Sequence, residues 1–308
     1  MFFPLYPLKK SIGKVIHGFC SIDPISYSRQ NHPMTLAALR QAVQTLPNTP
    51  KFPVLFVGHG SPMNAVEDNA YIRAWKKIGA TLPTPNAILA ISAHWLTEGT
   101  KVHIAAQPRT IHDFYGFPEA LYNIRYDCAG APVVAEATRE TLFPTPVGED
   151  TEWGVDHGTW VVLKHMYPEA NIPVFQLSID VARSHRAHYE LAEALKPLRE
   201  KGVLVIGSGN IVHNLGRIAW DPTVPPYAWA DEFDQRAKLL LESGNHDALV
   251  DYEKLGDTAT LAIPTPEHYW PLLYTLGLKD KTDAVSFPVE GIAHGSISMR
   301  AVLFDTPK

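Results

Sequence analysis

Four short runs along the chain are apolar at nearly every position. They are PVLFVG at residues 53–58, AILAISA at 87–93, PVFQLSI at 173–179 and VLVIGS at 203–208. A strand with one wet face alternates apolar and polar residues. A run that stays apolar is what a strand covered on both faces requires. Stretches of helical character separate these runs, at 69–82, 132–143, 185–202 and 227–255, with an earlier one at 35–45. The third carries Leu191, Leu195 and Leu198 at helical spacing, and Gly202 suits its end. Strand, helix and strand in repetition predict an α/β fold: a single domain with a central, mostly parallel sheet flanked by helices on both faces.

Residues 1–33 break this pattern. The apolar start is followed by Lys9 and Lys10 and then by a mixed stretch up to Asn31-His32-Pro33. A secretory signal has the opposite order, with positive charge ahead of a longer apolar core. The expected division is therefore an N-terminal appendage at 1–33 and the main domain at 34–308. The chain has 308 residues, enough for a sizeable core. Hydrophobic residues make up 45% and charged ones 19%, which excludes a disordered chain. The formal net charge of -5 gives no general attraction to nucleic acid or to an anionic membrane, so neither is expected as a partner. No window reaches the roughly 18 uninterrupted apolar residues of a membrane helix. Two cysteines, Cys20 and Cys128, can build neither a disulfide framework nor a cysteine-based zinc site, and a cytoplasmic setting is expected.

Histidine changes the picture. There are 14, and three of them follow the buried runs. PVLFVG leads to His59, AILAISA to His94, and VLVIGS, through Gly209 and Asn210, to His213. Ligands of open α/β sheets bind outside the carboxyl ends of the strands. Three imidazoles delivered to that edge can converge on one ion, and neutral imidazole is the commonest protein metal ligand. A single histidine after a strand is ordinarily a loop residue bonded to backbone. Three at equivalent ends are not independent. Two more segments add candidates: His157 in Asp156-His157-Gly158-Thr159-Trp160, and the adjacent pair Glu267 and His268 after Pro266. The plainer readings are a helix start for His157 and a first-turn acid for Glu267. Two neighbours on regular backbone cannot easily aim at one point, so one of Glu267 and His268 is the better ligand candidate.

Six motifs occur in order. They are Gly58-His59-Gly60-Ser61-Pro62, Ser92-Ala93-His94-Trp95, His112-Asp113-Phe114-Tyr115-Gly116-Phe117-Pro118, Asp156-His157-Gly158-Thr159-Trp160, Gly207-Ser208-Gly209-Asn210-Ile211-Val212-His213-Asn214 and Pro264-Thr265-Pro266-Glu267-His268-Tyr269. Together they resemble the LigB-type class III extradiol ring-cleavage dioxygenases, and within them the 4,5-DOPA dioxygenase extradiol group. The resemblance covers nearly everything after the appendage. It implies an enzyme that opens a catechol ring with O2 at one divalent metal. It implies His59 and His94 as metal ligands and His213 as the acid/base, or a ligand in some members. It also implies His157 as a second catalytic or substrate-facing group. Relatives of the protocatechuate type use a glutamate as last ligand; here His268 is the choice and Glu267 the alternative.

The chemistry agrees with those residue types. A catechol chelates the metal through two oxygens and O2 takes a further position, so a site with few protein ligands is required. Iron(II) is expected for dioxygenase activity, although an all-histidine set also suits zinc. A base near neutral pH must take a hydroxyl proton and later return one, which suits His213 and then His157. His112, Phe114 and Tyr115 are candidates to contact the aromatic substrate, and Trp95 to pack behind the metal. The competing readings are a zinc-dependent hydrolase or amidase on the same histidines, and a binding protein that kept the scaffold without the chemistry.

Overall fold

The computed structural model describes residues 48–307, residue 222 excepted. The segment 1–33, the helical stretch at 35–45 and Cys20 lie outside the described residues.

Because side chains alternate across a strand, a doubly buried run feeds two cores at once. In β1 (Val54–Gly58), Val54 and Phe56 join one core with Leu89, Val203 and Val205. Leu55 and Val57 join the other with Ile88, Leu204 and Ile206. The sheet continues through β2 (Ala87–Ser92), β3 (Val174–Gln176), β4 (Val203–Gly209), β5 (Ala284–Val289) and β6 (Ala301–Asp305). The spatial order is β3-β2-β4-β1-β6-β5. β1, β2, β3 and β4 are mutually parallel, and β6 runs antiparallel between β1 and β5. The first core is covered by α2 (Pro132–Thr141), α4 (His185–Glu193), α5 (Ala228–Glu242) and α6 (Trp270–Leu278). The second is covered by α1 (Ala70–Thr81) and α3 (His157–Met166). The predicted mostly parallel sheet with helices on both faces is therefore the observed fold. Among the described residues, no helix is long and apolar enough to cross a membrane.

The differences from the sequence pattern have local causes. The stretch 185–202 is not one helix: α4 ends at Glu193, and a 3-10 segment, Lys196–Lys201, follows. Pro197 brings no N–H to an α-helical ladder and crowds the preceding turn. Gly202, at φ 73°, ends the segment as expected. The stretch 227–255 breaks at Gly244, whose φ is 69°; Asn245 then caps a new short helix, His246–Val250, by accepting from the Ala248 N–H. Only Val174–Gln176 of the third run enters the main sheet, while Ile179–Asp180 pairs with Leu96–Thr97 beside it. β5 and β6 escaped the apolar-run criterion. β5 is an edge strand with alternating exposure and contains Pro288. That proline falls where the register with β6 slips by one residue, a bulge that spares it a ladder hydrogen bond.

Parallel pairing puts three strand ends side by side. Gly58 of β1 sits opposite Gly209 of β4, and Ser92 of β2 opposite Ser208. The glycines of β4 let another segment settle on that edge. A Cβ on Gly209 would lie 2.1 Å from the His268 carbonyl oxygen, and one on Gly207 2.5 Å from that of Pro271. The Asn210 N–H donates to the same His268 carbonyl at 2.8 Å. Gly209→Ala is therefore expected to push the His268 segment off the sheet and cost ~1–3 kcal/mol of stability, read as a lowered Tm. An unchanged Tm would contradict this packing.

Candidate metal centre

Five histidines meet at the carboxyl edge of the sheet. His59 lies one residue past β1, His94 two past β2, and His213 four past β4. His157 opens α3, and His268 sits two residues before α6. Ring centroids are 5.0 Å apart for His59 and His94, 5.3 Å for His59 and His268, 5.1 Å for His94 and His268, and 4.0 Å for His94 and His157. His213 stacks on His268 at 3.5 Å with the rings 10° from parallel. His59, His157 and His268 are buried, and His94 and His213 are partly exposed.

The His59, His94 and His268 rings each have an oxygen atom close to Nδ1. His59 Nδ1 lies 3.0 Å from Ser208 Oγ, and that hydroxyl donates its own proton to the Gly158 carbonyl at 2.5 Å. The serine can only accept from the ring, so the proton sits on Nδ1 and Nε2 keeps its lone pair. His94 Nδ1 lies 3.3 Å from Asp113 Oδ2. His268 Nδ1 donates to Glu267 Oε1 at 3.2 Å, and that carboxylate also accepts from Thr265 Oγ1. The His59 and His94 Nε2 atoms then face each other at 3.1 Å. In the metal-free centre one proton can bridge the pair, and both atoms lie close enough to reach one ion at the ~2.0–2.1 Å of an imidazole–metal bond. Ligand atoms of His59, His94 and His268 all fall within 4.8 Å of one another. This donor set fits one divalent metal. Glu267 groups instead with His213 and His268.

Electrostatics agree. Burial, and then His94, push the His59 pKa well below its ordinary value. Burial and His157 do the same to His94 against the pull of Asp113, and burial and His268 to His213. All three rest as neutral rings with lone pairs to offer. Burial would raise the pKa of Asp113, but His157 and His94 outweigh it and hold the group as a carboxylate. Asp156, buried at the start of α3, accepts from Ser92 Oγ at 2.7 Å, Gln176 Nε2 at 2.8 Å and the Thr159 N–H at 3.2 Å. It joins β2, β3 and α3 directly beneath the histidines. Gly158 is equally constrained: a Cβ there would lie 2.9 Å from the His94 ring.

Other predicted residues fall nearby with different duties. Phe114 is buried with its ring edge-on to His157 at 5.5 Å. His112 donates from Nε2 to the Ile124 carbonyl at 2.9 Å and packs on Phe114 and Trp160, so it braces that aromatic wall. Tyr115 is 45% exposed. The Trp95 ring stacks on Trp153 at 5.7 Å, with His103 at its edge, rather than forming a floor for the histidines. A cavity of about 220 Å³ borders the His59 loop, lined by Ser61, Asn64, Tyr71, His294, Ile297 and Met299. Sequence reasoning passed over Ser208 and the duty of Asp113. Ser208 and Asp113 stood within quoted motifs, but their partners, His59 and His94, lie in others.

Fold and geometry together define an α/β protein with a histidine centre suited to one divalent ion at the carboxyl edge of its sheet. The model of the LigB family, described as the catalytic LigB subunit of aromatic ring-opening dioxygenase, matches residues 47–300. The chain belongs to that family of ring-opening enzymes. It is 48% identical over 256 residues to a 4,5-DOPA dioxygenase extradiol of Escherichia coli K12, covering 82% of this chain and 94% of the relative. A 4,5-DOPA dioxygenase extradiol of Beta vulgaris is 39% identical over 231 residues, covering 72% and 85%. The crystal structure of an uncharacterized protein from Escherichia coli K12 superposes with a TM-score of 0.73 at 42% identity, covering 83% of this chain and all of the other. Family membership favours ring opening over the hydrolase reading of the same histidines.

The lowered histidine pKa values carry a sign. Below about pH 6.5 the unfolded chain takes up protons that the folded, metal-free centre refuses, so stability falls as pH drops. The Tm of metal-free protein is expected to decline from about pH 7.5 to about pH 5.5, and less steeply once His59→Ala relieves the cluster. Equal slopes in the two proteins would contradict this account of the centre.

Proposed function

We propose that this enzyme opens the ring of a catechol such as DOPA with O2, using one iron(II) ion held by His59, His94 and His268. The observation that carries the proposal is the set of Nδ1 atoms backed by oxygen acceptors, with Nε2 left to the ion. When bound, iron(II) supplies the redox partner for O2 that redox-inert zinc on the same ligands lacks. His268 is preferred to Glu267 as ligand because the glutamate is occupied in holding the His268 ring. The names of the Escherichia coli and Beta vulgaris relatives support the extradiol reaction and DOPA as substrate. The cytoplasm is the proposed compartment, in keeping with the scarcity of cysteine.

The remaining histidines have duties toward the substrate. His213 stacks on His268, is partly exposed and rests neutral, so it is the base that takes a catechol proton and later returns it. Its loop is fixed: the His213 N–H donates to the Ala262 carbonyl at 2.8 Å, and Asn214 Nδ2 to that of Leu261 at 2.8 Å. His157, beside Phe114, faces the ring from the other side of the centre and is the alternative acid/base.

The direct test loads metal-free protein with iron(II) without oxygen, then follows O2 uptake and the ring-opened product after adding DOPA. Stoichiometric uptake supports the proposal; product without O2 consumption contradicts it. His213→Gln keeps a polar side chain but cannot cycle a proton. It is expected to retain the metal and lose turnover by ~10²–10⁴-fold. Loss of the metal from this variant would make His213 a ligand and pass the base role to His157.

A further inference from the structure

We infer that Asp113 is a positioning residue shared by two histidines of the centre, fixing the tautomer through which His94 binds the metal. The inference rests on His94 being a metal ligand, and it extends that reading to a residue outside the ligand set. The Asp113 side chain is 16% exposed. Its Oδ2 lies 3.0 Å from His157 Nδ1 and 3.3 Å from His94 Nδ1, and its Oδ1 accepts from the His157 N–H at 2.9 Å. One carboxylate oxygen thus confronts the Nδ1 edges of both rings. Its negative charge favours a proton on each Nδ1 and leaves each Nε2 with its lone pair.

The loop that carries Asp113 is braced by bonds other than those to the His94 and His157 rings. The Ile111 N–H donates to the Val155 carbonyl at 2.8 Å, Trp160 Nε1 donates to the Ile111 carbonyl at 2.8 Å, and the next residue, His112, is tied to Ile124. The carboxylate is therefore delivered by a braced loop. At the start of α3 Asp156 takes the Thr159 N–H and Asp113 Oδ1 the His157 N–H, which leaves Asp113 Oδ2 to face the two rings. Asparagine at this position would retain an acceptor for the His157 N–H. Its amide group would then confront the two ring edges as a donor. Two donors cannot pair, so the His94 proton would move to Nε2, the atom the metal needs.

The test uses zinc(II) titration of metal-free full-length protein against a chelator, with cobalt(II) absorption as a second readout. Asp113→Asn is expected to fold with a Tm close to that of the unmodified protein and to bind zinc ~10–100-fold more weakly. Asp113→Glu is expected to recover part of that affinity. Unchanged affinity and an unchanged cobalt spectrum in a folded Asp113→Asn protein would overturn the inference. A measurement that needs no variant runs beside it. Nitrogen NMR of 15N-histidine-labelled, zinc-loaded protein is expected to show His94 bound through Nε2 and protonated on Nδ1, and binding through Nδ1 would equally overturn the inference. Neither arm uses catechol or O2, so their outcome is separate from that of the ring-opening assay.

Discussion

The site depends on one repeated interaction: an oxygen atom behind each imidazole that claims the Nδ1 proton. Ser208 does this for His59 and Glu267 for His268, and Asp113, at ion-pair distance from the His94 Nδ1, is assigned the same duty. An imidazole has two nitrogens, and only the one without the proton can bind a metal. Fixing the proton on the outer edge turns three flexible rings into three inward lone pairs. Burial first, and the neighbouring imidazoles after it, lower the pKa values of His59 and His94, so both rings rest neutral.

The fold supplies what this interaction needs. Parallel strands bring Gly58, Ser92 and Gly209 to one edge, so the loops after β1, β2 and β4 start from a common plane. Helix starts supply the other rings, with His157 opening α3 and His268 just ahead of α6. Glycine decides how close these pieces come. Gly209 lets the His268 carbonyl touch the end of β4, and Gly158 leaves room for the His94 ring. The antiparallel strand β6 closes the arrangement, pairing with β1 while Ser298, just before it, accepts from Asn210 in the loop that carries His213.

Much of this was legible in the sequence because burial on both faces leaves a strong mark. PVLFVG, AILAISA and VLVIGS read as strands, and the histidines behind them read as a site. The third run was read too long, since Ile179 and Asp180 leave the main sheet. β5 was not found, because an edge strand containing a proline lacks that mark, and the short β6 was passed over. The acceptors behind the rings were hidden for a different reason. His59 and Ser208 are 149 residues apart, and no periodicity connects a histidine in one motif to an oxygen in another.

The account makes Phe114, His157 and His213 the surroundings of a substrate and makes the three outward-anchored imidazoles the seat of the ion. Its central claim is the ligand set. X-ray absorption at the zinc edge, on metal-free protein given one equivalent of zinc(II), tests it most directly. The predicted result is one tightly bound ion with multiple-scattering from three imidazoles at ~2.0–2.1 Å. A spectrum with a single imidazole or none, or two equally tight ions per chain, would contradict the account.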